Sequence, residues 1–469
     1  YVTSLFMNPA NPDVLLAGTG MAGPVGQNTN LGAYLSTDGG ESWQYVLPAP
    51  QPISAVEFST SNPNIAYAAG PEGVYRSTDT GKTWQKQTSG NFWGAPGTQS
   101  GFPIDLQVDP RNPDRLFANN YGGGNFLSED AGKTWVVASQ GYTGAYLHGI
   151  VVNPQDRDNV FVIGRTGPFR SYTEGDAWEG LTKAPAVYSE WYAVAIDPKN
   201  PNNVLIADEF DGTIFRSTNQ GNSWSQVFKN PQVDQMISDK RNGYKSIVFA
   251  PSNSNTVYAG MEVPRNSVDQ NLAQSNNMPS FGVYKSIDGG ITWAAANDAN
   301  TATQNINALA VDPANEQIAY AATLMKGALK TTDGGKTWQA VNQGLNATDV
   351  RSIAIDPKNP LVLFAGVENG GLYISTDAGA HWQASSNGMD PQAAIRAIVV
   401  DPTNSQIVYA ADIRSGVYRS DNGGKLWIRI NNGLRTRAVA SMASSMDGSM
   451  LYAATQGEGV FRLETATSR

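Results

Sequence analysis

Short apolar runs alternate with polar turns along the whole chain, and no stretch carries the spacing of three to four residues that an amphipathic helix requires. The segment Val194-Ala195-Ile196-Asp197-Pro198-Lys199-Asn200-Pro201 reads as a strand that ends in a turn. Val204-Leu205-Ile206-Ala207 then reads as a buried second strand, Thr213-Ile214-Phe215-Arg216 as an alternating third, and the segment led by Trp224 as a fourth. The pattern returns at a period of about 45 residues. It places first strands near residues 2, 53, 104, 148, 192, 245, 307, 351, 396 and 439.

Between the third and fourth strands lies an eight-residue frame, plainest at Ser286-Ile287-Asp288-Gly289-Gly290-Ile291-Thr292-Trp293. Ser286 and Asp288 can accept hydrogen bonds from backbone N–H groups inside a hairpin turn, Gly290 can take a positive φ, and Thr292-Trp293 open the returning strand. The frame recurs from Ser36, Ser77, Ser128, Ser171, Ser217, Thr331, Ser375 and Ser420, with Thr173, Asn219 and Asn422 in place of the aspartate and His381 and Leu426 in place of the threonine. This resembles the Asp-box (BNR) repeat of sialidases, two-propeller xyloglucan hydrolases, sortilin-type receptors and photosystem II assembly factors. The resemblance implies an architectural role for the box and no catalytic one.

A four-stranded unit cannot bury both faces alone, so successive units must stack. The fold expected is all-β, a single β-propeller of about ten four-stranded antiparallel blades. One domain would span 1–469, with nine complete Asp-box units and a partial tenth at 436–463 that lacks a fourth strand. Ten blades in one ring is similar to the sortilin propeller, whereas the photosystem factors and sialidases have fewer. The chain opens directly on a strand-like segment, so the closing strand is expected to lie before Tyr1 or the closure to be imperfect.

Composition narrows the chemistry. With no cysteine and two histidines, His148 and His381, the sequence offers no thiolate chemistry and little for a metal, so neither metal nor cofactor is expected. A net charge of −9 argues against nucleic acid, which needs a basic face. No apolar run approaches the roughly 20 residues of a membrane span. An extracytoplasmic location, whether secreted, periplasmic or cell-surface, follows from the resemblance and from the polar, lysine-poor composition.

Candidate site residues come from aligning the first strands on their turn proline. Five residues before it every position is small except Asp105, which is either a functional carboxylate or the cap of a nearby loop amide. One residue earlier the column reads Thr3, Ser54, Ile104, His148, Tyr192, Lys245, Asn307, Arg351, Arg396 and Val439, and should ring the mouth of the central channel. Lys245, Arg351 and Arg396 make part of that ring basic. They could hold a carboxylate or phosphate, or they could simply pair with local acids. Opposite them stand acids and aromatics, Trp93, Glu190, Trp191, Tyr192 and Asp208, the mixture that sugar sites favour. Long insertions fall in the second-to-third-strand hairpins and the links between units, which makes that face the expected working face. Two carboxylates there could also cleave a glycosidic bond.

From the sequence alone the favoured reading is a module that binds a glycan or a protein or peptide partner on the long-loop face. The alternatives are a glycoside hydrolase, xyloglucanase-like or sialidase-like, and an accessory subunit of a larger complex. The Arg-Ile-Pro segment of sialidases is absent, and the two-propeller xyloglucan enzymes are longer chains.

Overall fold

The computed structural model describes residues 2–20, 31–49, 52–88, 102–121, 124–138, 146–164, 167–181, 190–208, 212–231, 243–262 and 281–465. Among them every regular element is a strand. No helix is long and apolar enough to cross a membrane. The strands form ten antiparallel sheets in chain order, nine of four strands and one of three. We number the sheets one to ten. Their first strands are Val2–Met7, Ala55–Phe58, Phe102–Val108, Leu147–Asn153, Trp191–Ile196, Gly243–Phe249, Ile306–Val311, Val350–Ile355, Ile395–Val400 and Val439–Ser444. The all-β class and the ten sheets match the sequence pattern. Second strands such as Val204–Asp208 and Leu363–Val367 are buried at every residue, as their continuous apolar runs require.

The turn hairpin is held as its residues dictate. In the box of sheet six, Gly290 N–H donates to Ser286 Oγ at 2.9 Å, Thr292 N–H donates to Asp288 Oδ1 at 2.9 Å, and the Thr292 hydroxyl donates to Asp288 Oδ2 at 2.5 Å. Asparagine does the same work in sheet five, where Asn219 Oδ1 accepts from Ser223 N–H at 2.9 Å. Gly335 shows why the second glycine is needed. Its φ is +90°, and a Cβ there would meet the Ala296 side chain at 2.8 Å.

Seven of the nine box tryptophans show where the indole N–H goes, and Trp427 makes both of the contacts that follow. Trp338, Trp382 and Trp427 are buried, and their indole N–H groups donate to carbonyls of the preceding sheet, Ala296, Val341 and Ser385, at 2.9, 2.7 and 2.6 Å. Trp43, Trp84, Trp135 and Trp293 donate instead to the glycine three residues back in their own turn. Contact of the box tryptophan with the preceding sheet is therefore clearest in sheets seven to nine.

The chain divides into two compact units, Tyr1–Tyr142 with Glu179–Lys183, and Thr143–Trp178 with Ala184–Arg469. In the smaller unit the first strands of sheets one, two and three are successive neighbours. In the larger unit the first strands of sheets four to ten are likewise neighbours in order, and the first two strands of sheet ten return to the first strand of sheet four. Seven sheets thus close on themselves. The closing core joins Leu147, Ile150, Val160 and Trp178 to Met450, Tyr452 and Ala454. Arg157 and Arg462 reinforce it from the rim, Arg157 with Asp447 at 3.3 Å and Arg462 with Asp176 at 3.0 Å. Strand starts count sheets, but closure depends on which apolar faces meet. Over the larger unit the sheets that meet in this way number seven of the ten.

Candidate functional site

Each first strand of the seven-sheet ring carries a β-bulge near its beginning. The register slips between Leu147 and Gly149, Trp191 and Ala193, Tyr244 and Ser246, Ile306 and Ala308, Val350 and Ser352, Ile395 and Ala397, and Val439 and Ser441. The extra residues are His148, Tyr192, Lys245, Asn307, Arg351, Arg396 and Ala440. All seven line one cavity of about 410 Å³. A bulge leaves one residue unpaired and re-aims its side chain, and here the repeat does so seven times around one opening.

One sector of the cavity is aromatic. The rings of His148 and Tyr192 stack with centroids 4.2 Å apart, Tyr146 meets His148 edge-on at 5.1 Å, and Lys245 Nζ sits 5.5 Å over the Tyr192 ring. Another sector holds three cations, each paired with a carboxylate behind it. Lys245 pairs with Glu262, and Arg351 pairs with Asp349 at 2.8 Å and with Glu368 at 2.9 Å. Arg396 reaches the same Glu368 oxygen at 3.0 Å. Burial, followed by the neighbouring Arg351 cation, pulls Arg396 below the ordinary arginine value, while Glu368, Asp349 and Glu262 oppose that pull. Asn307 Nδ2 donates to the Val350 carbonyl at 2.6 Å, and its buried Oδ1 has no hydrogen-bond partner among the described residues.

Of the nine residues nominated from sequence, the cavity gathers Tyr192, Lys245, Arg351 and Arg396. Trp191 does not join them. It is fully buried and meets Phe215 edge-on at 5.4 Å, because neighbours on a strand point to opposite faces. Asp208, opposite Trp191 in the ladder, is also buried. The matching residue of sheet nine, Asp412, caps its own hairpin by accepting from Arg414 N–H at 2.8 Å and from Ser415 N–H. Glu190 stands half-buried just before the first strand of sheet five. Asp105 belongs to the smaller unit, is exposed, and accepts from the N–H of Leu106 at 3.0 Å. Trp93 lies outside the described residues, as do most of the long insertions used to choose a working face.

The acids of the network escaped the sequence reading. Glu262 and Glu368 occupy one repeat position, the first residue beyond the inner pairs of the second strand, and Ile413 and Gln456 line the cavity from the same position in sheets nine and ten. Aligning the second strands, as was done for the first, exposes this column. Among the described residues no cluster of three or more His, Cys, Asp or Glu could hold a metal ion.

Comparison with known proteins adds chemistry to this geometry. The chain carries the BNR/Asp-box repeat, whose family model matches residues 34–45. An oligoxyloglucan-reducing end-specific xyloglucanase of Emericella nidulans is 27% identical over 252 residues, 43% of this chain and 30% of that protein. A xyloglucanase of Hypocrea jecorina is 26% identical over 184 residues, 36% of this chain and 20% of that one. The match thus spans less than a third of either relative. Among solved structures, YCF48 bound to a D1 peptide is 15% identical, covers 70% of this chain and 96% of its own, and superposes with a TM-score of 0.51, which shows a shared fold.

Proposed function

We propose that this chain is part of a glycoside hydrolase that acts on xyloglucan or a closely related branched glucan. The observation that carries the reading is the match to xyloglucanases from separate organisms over more than a third of the chain. It overturns the expectation of a non-enzymatic binding module, because the curated proteins that match are hydrolases. The likeness to YCF48 supports a fold and not an accessory-subunit role. A polymeric glucan lies outside the cell membrane, so we infer an extracytoplasmic place of work.

The geometry fits a sugar. The aromatic rings that line the cavity offer apolar edges to pyranose C–H groups, and paired charges offer both donors and acceptors to hydroxyls. Hydrolysis itself needs one carboxyl group to protonate the leaving oxygen and a second to activate water or attack carbon. We nominate Glu190 in the larger unit and Asp105 in the smaller unit for substrate contact, each to be tested separately by Glu190→Gln and Asp105→Asn. The decisive assay incubates the chain with xyloglucan, a mixed-linkage β-glucan and unbranched cello-oligosaccharides and follows new reducing ends. Release from xyloglucan above the other glucans supports the reading. No release from any of them refutes it.

A further inference from the structure

The basic residues of this cavity could, from the sequence, either hold an anion or pair with local acids, and the structure shows the pairing. Its three cations, Lys245, Arg351 and Arg396, face three carboxylates, Glu262, Asp349 and Glu368, within ion-pair distance. An anionic ligand would have to break a pair or lie against a carboxylate, and a half-buried charge that loses its partner is penalised. A neutral polyol faces no such penalty. The paired groups keep oxygen lone pairs and N–H groups that can meet hydroxyls, and the Asn307 Oδ1 acceptor is buried without a partner among the described residues.

We propose that this cavity is a binding site for one neutral pyranose, with its apolar side against the edge of the Tyr192 ring, whose faces meet His148 and Lys245, and hydroxyls shared among Asn307, the Lys245 to Glu262 pair and the Arg351 to Glu368 pair. The volume of about 410 Å³ falls at the small end of the range for ligand pockets, about 300 to 1,000 Å³. That size suits a single sugar with its waters better than a stretch of polymer. The inference rests on the hydrolase reading only for the identity of the sugar, glucose, xylose or galactose as found on a branched glucan; the geometry requires only that it be uncharged. A pocket of this kind would hold one residue or branch of a polymer while cleavage happens elsewhere.

Saturation-transfer NMR and calorimetry with glucose, xylose, galactose and glucuronate test it on the intact chain. At least one neutral sugar should bind at least tenfold tighter than glucuronate. Tyr192→Ala should weaken that sugar at least tenfold, Tyr192→Phe should restore it, and both variants should melt within a few degrees of the parent. Glucuronate binding as tightly as the neutral sugars, or equal neutral-sugar affinity in the parent and Tyr192→Ala, overturns the proposal. Xyloglucan hydrolysis measured on the same proteins separates the two readings. Cleavage without sugar in the cavity removes only this inference, and sugar binding without cleavage upholds it while removing the hydrolase reading.

Discussion

Trp338 shows what a box residue does energetically. It is 1% exposed, packs with Tyr258, Val283 and Leu329, and ties its indole N–H to sheet six. Trp338→Ala should cost about 3–5 kcal/mol, the range for truncating a buried aromatic. Trp43→Ala, at a site 41% exposed, should cost far less, and thermal melts of the two variants side by side check the contrast. Glu57 is a second residue with a stated consequence. Burial, with a smaller push from the Asp105 charge, raises its carboxyl to about 7, against the N–H of Val108 that donates to it at 3.0 Å. A carboxyl whose value is raised by folding favours the fold while protonated. Its contribution is full below the ordinary value of 4.5 and is lost as the pH rises through about 7. Denaturant melts should show the smaller unit losing on the order of 3 kcal/mol across that window. Glu57→Gln, which keeps an acceptor for Val108, should flatten the profile.

At the scale of elements, the strands and boxes were legible because each rests on local rules: alternation for strands, Ser, Asp and Gly for the turn, and a proline to mark the register. Six channel residues, His148, Tyr192, Lys245, Asn307, Arg351 and Arg396, were legible for the same reason, since the proline aligned residues that the bulges aim inward. Sheet ten has no such proline, and there Val439 is buried while Ala440 takes the bulge position. Closure was not legible. Sheet ten pairs with sheet four through Leu147, Ile150, Met450 and Tyr452, and nothing in those apolar strands distinguishes a partner six sheets away from one nine sheets away. Pairing of the basic residues with local acids was open in the sequence, but the partners were not legible, because Arg351, Asp349 and Glu368 come from both ends of a hairpin and the sequence shows only their charges. If sheet ten completes the ring, a chain ended at Arg435 uncovers Trp178 and its neighbours. It should bind a hydrophobic dye and lose the cooperative melt of the larger unit. An unchanged melt in the truncated chain would show that sheet ten is dispensable to closure.

For the molecule as a whole, two compact units built from one repeat and an acidic surface of net charge −9 suit an uncharged polymer better than a polyanion. The seven-sheet unit contributes a cavity whose cations are paired, and the proposal of xyloglucan hydrolysis comes from the xyloglucanases that match part of the chain. The most direct test is a mass-spectrometric time course of xyloglucan incubated with the 469-residue chain in ¹⁸O-labelled water. Oligosaccharides should accumulate with one label at each new reducing end, as hydrolysis at the anomeric carbon requires. Polymer of unchanged length with no label incorporated would contradict the account.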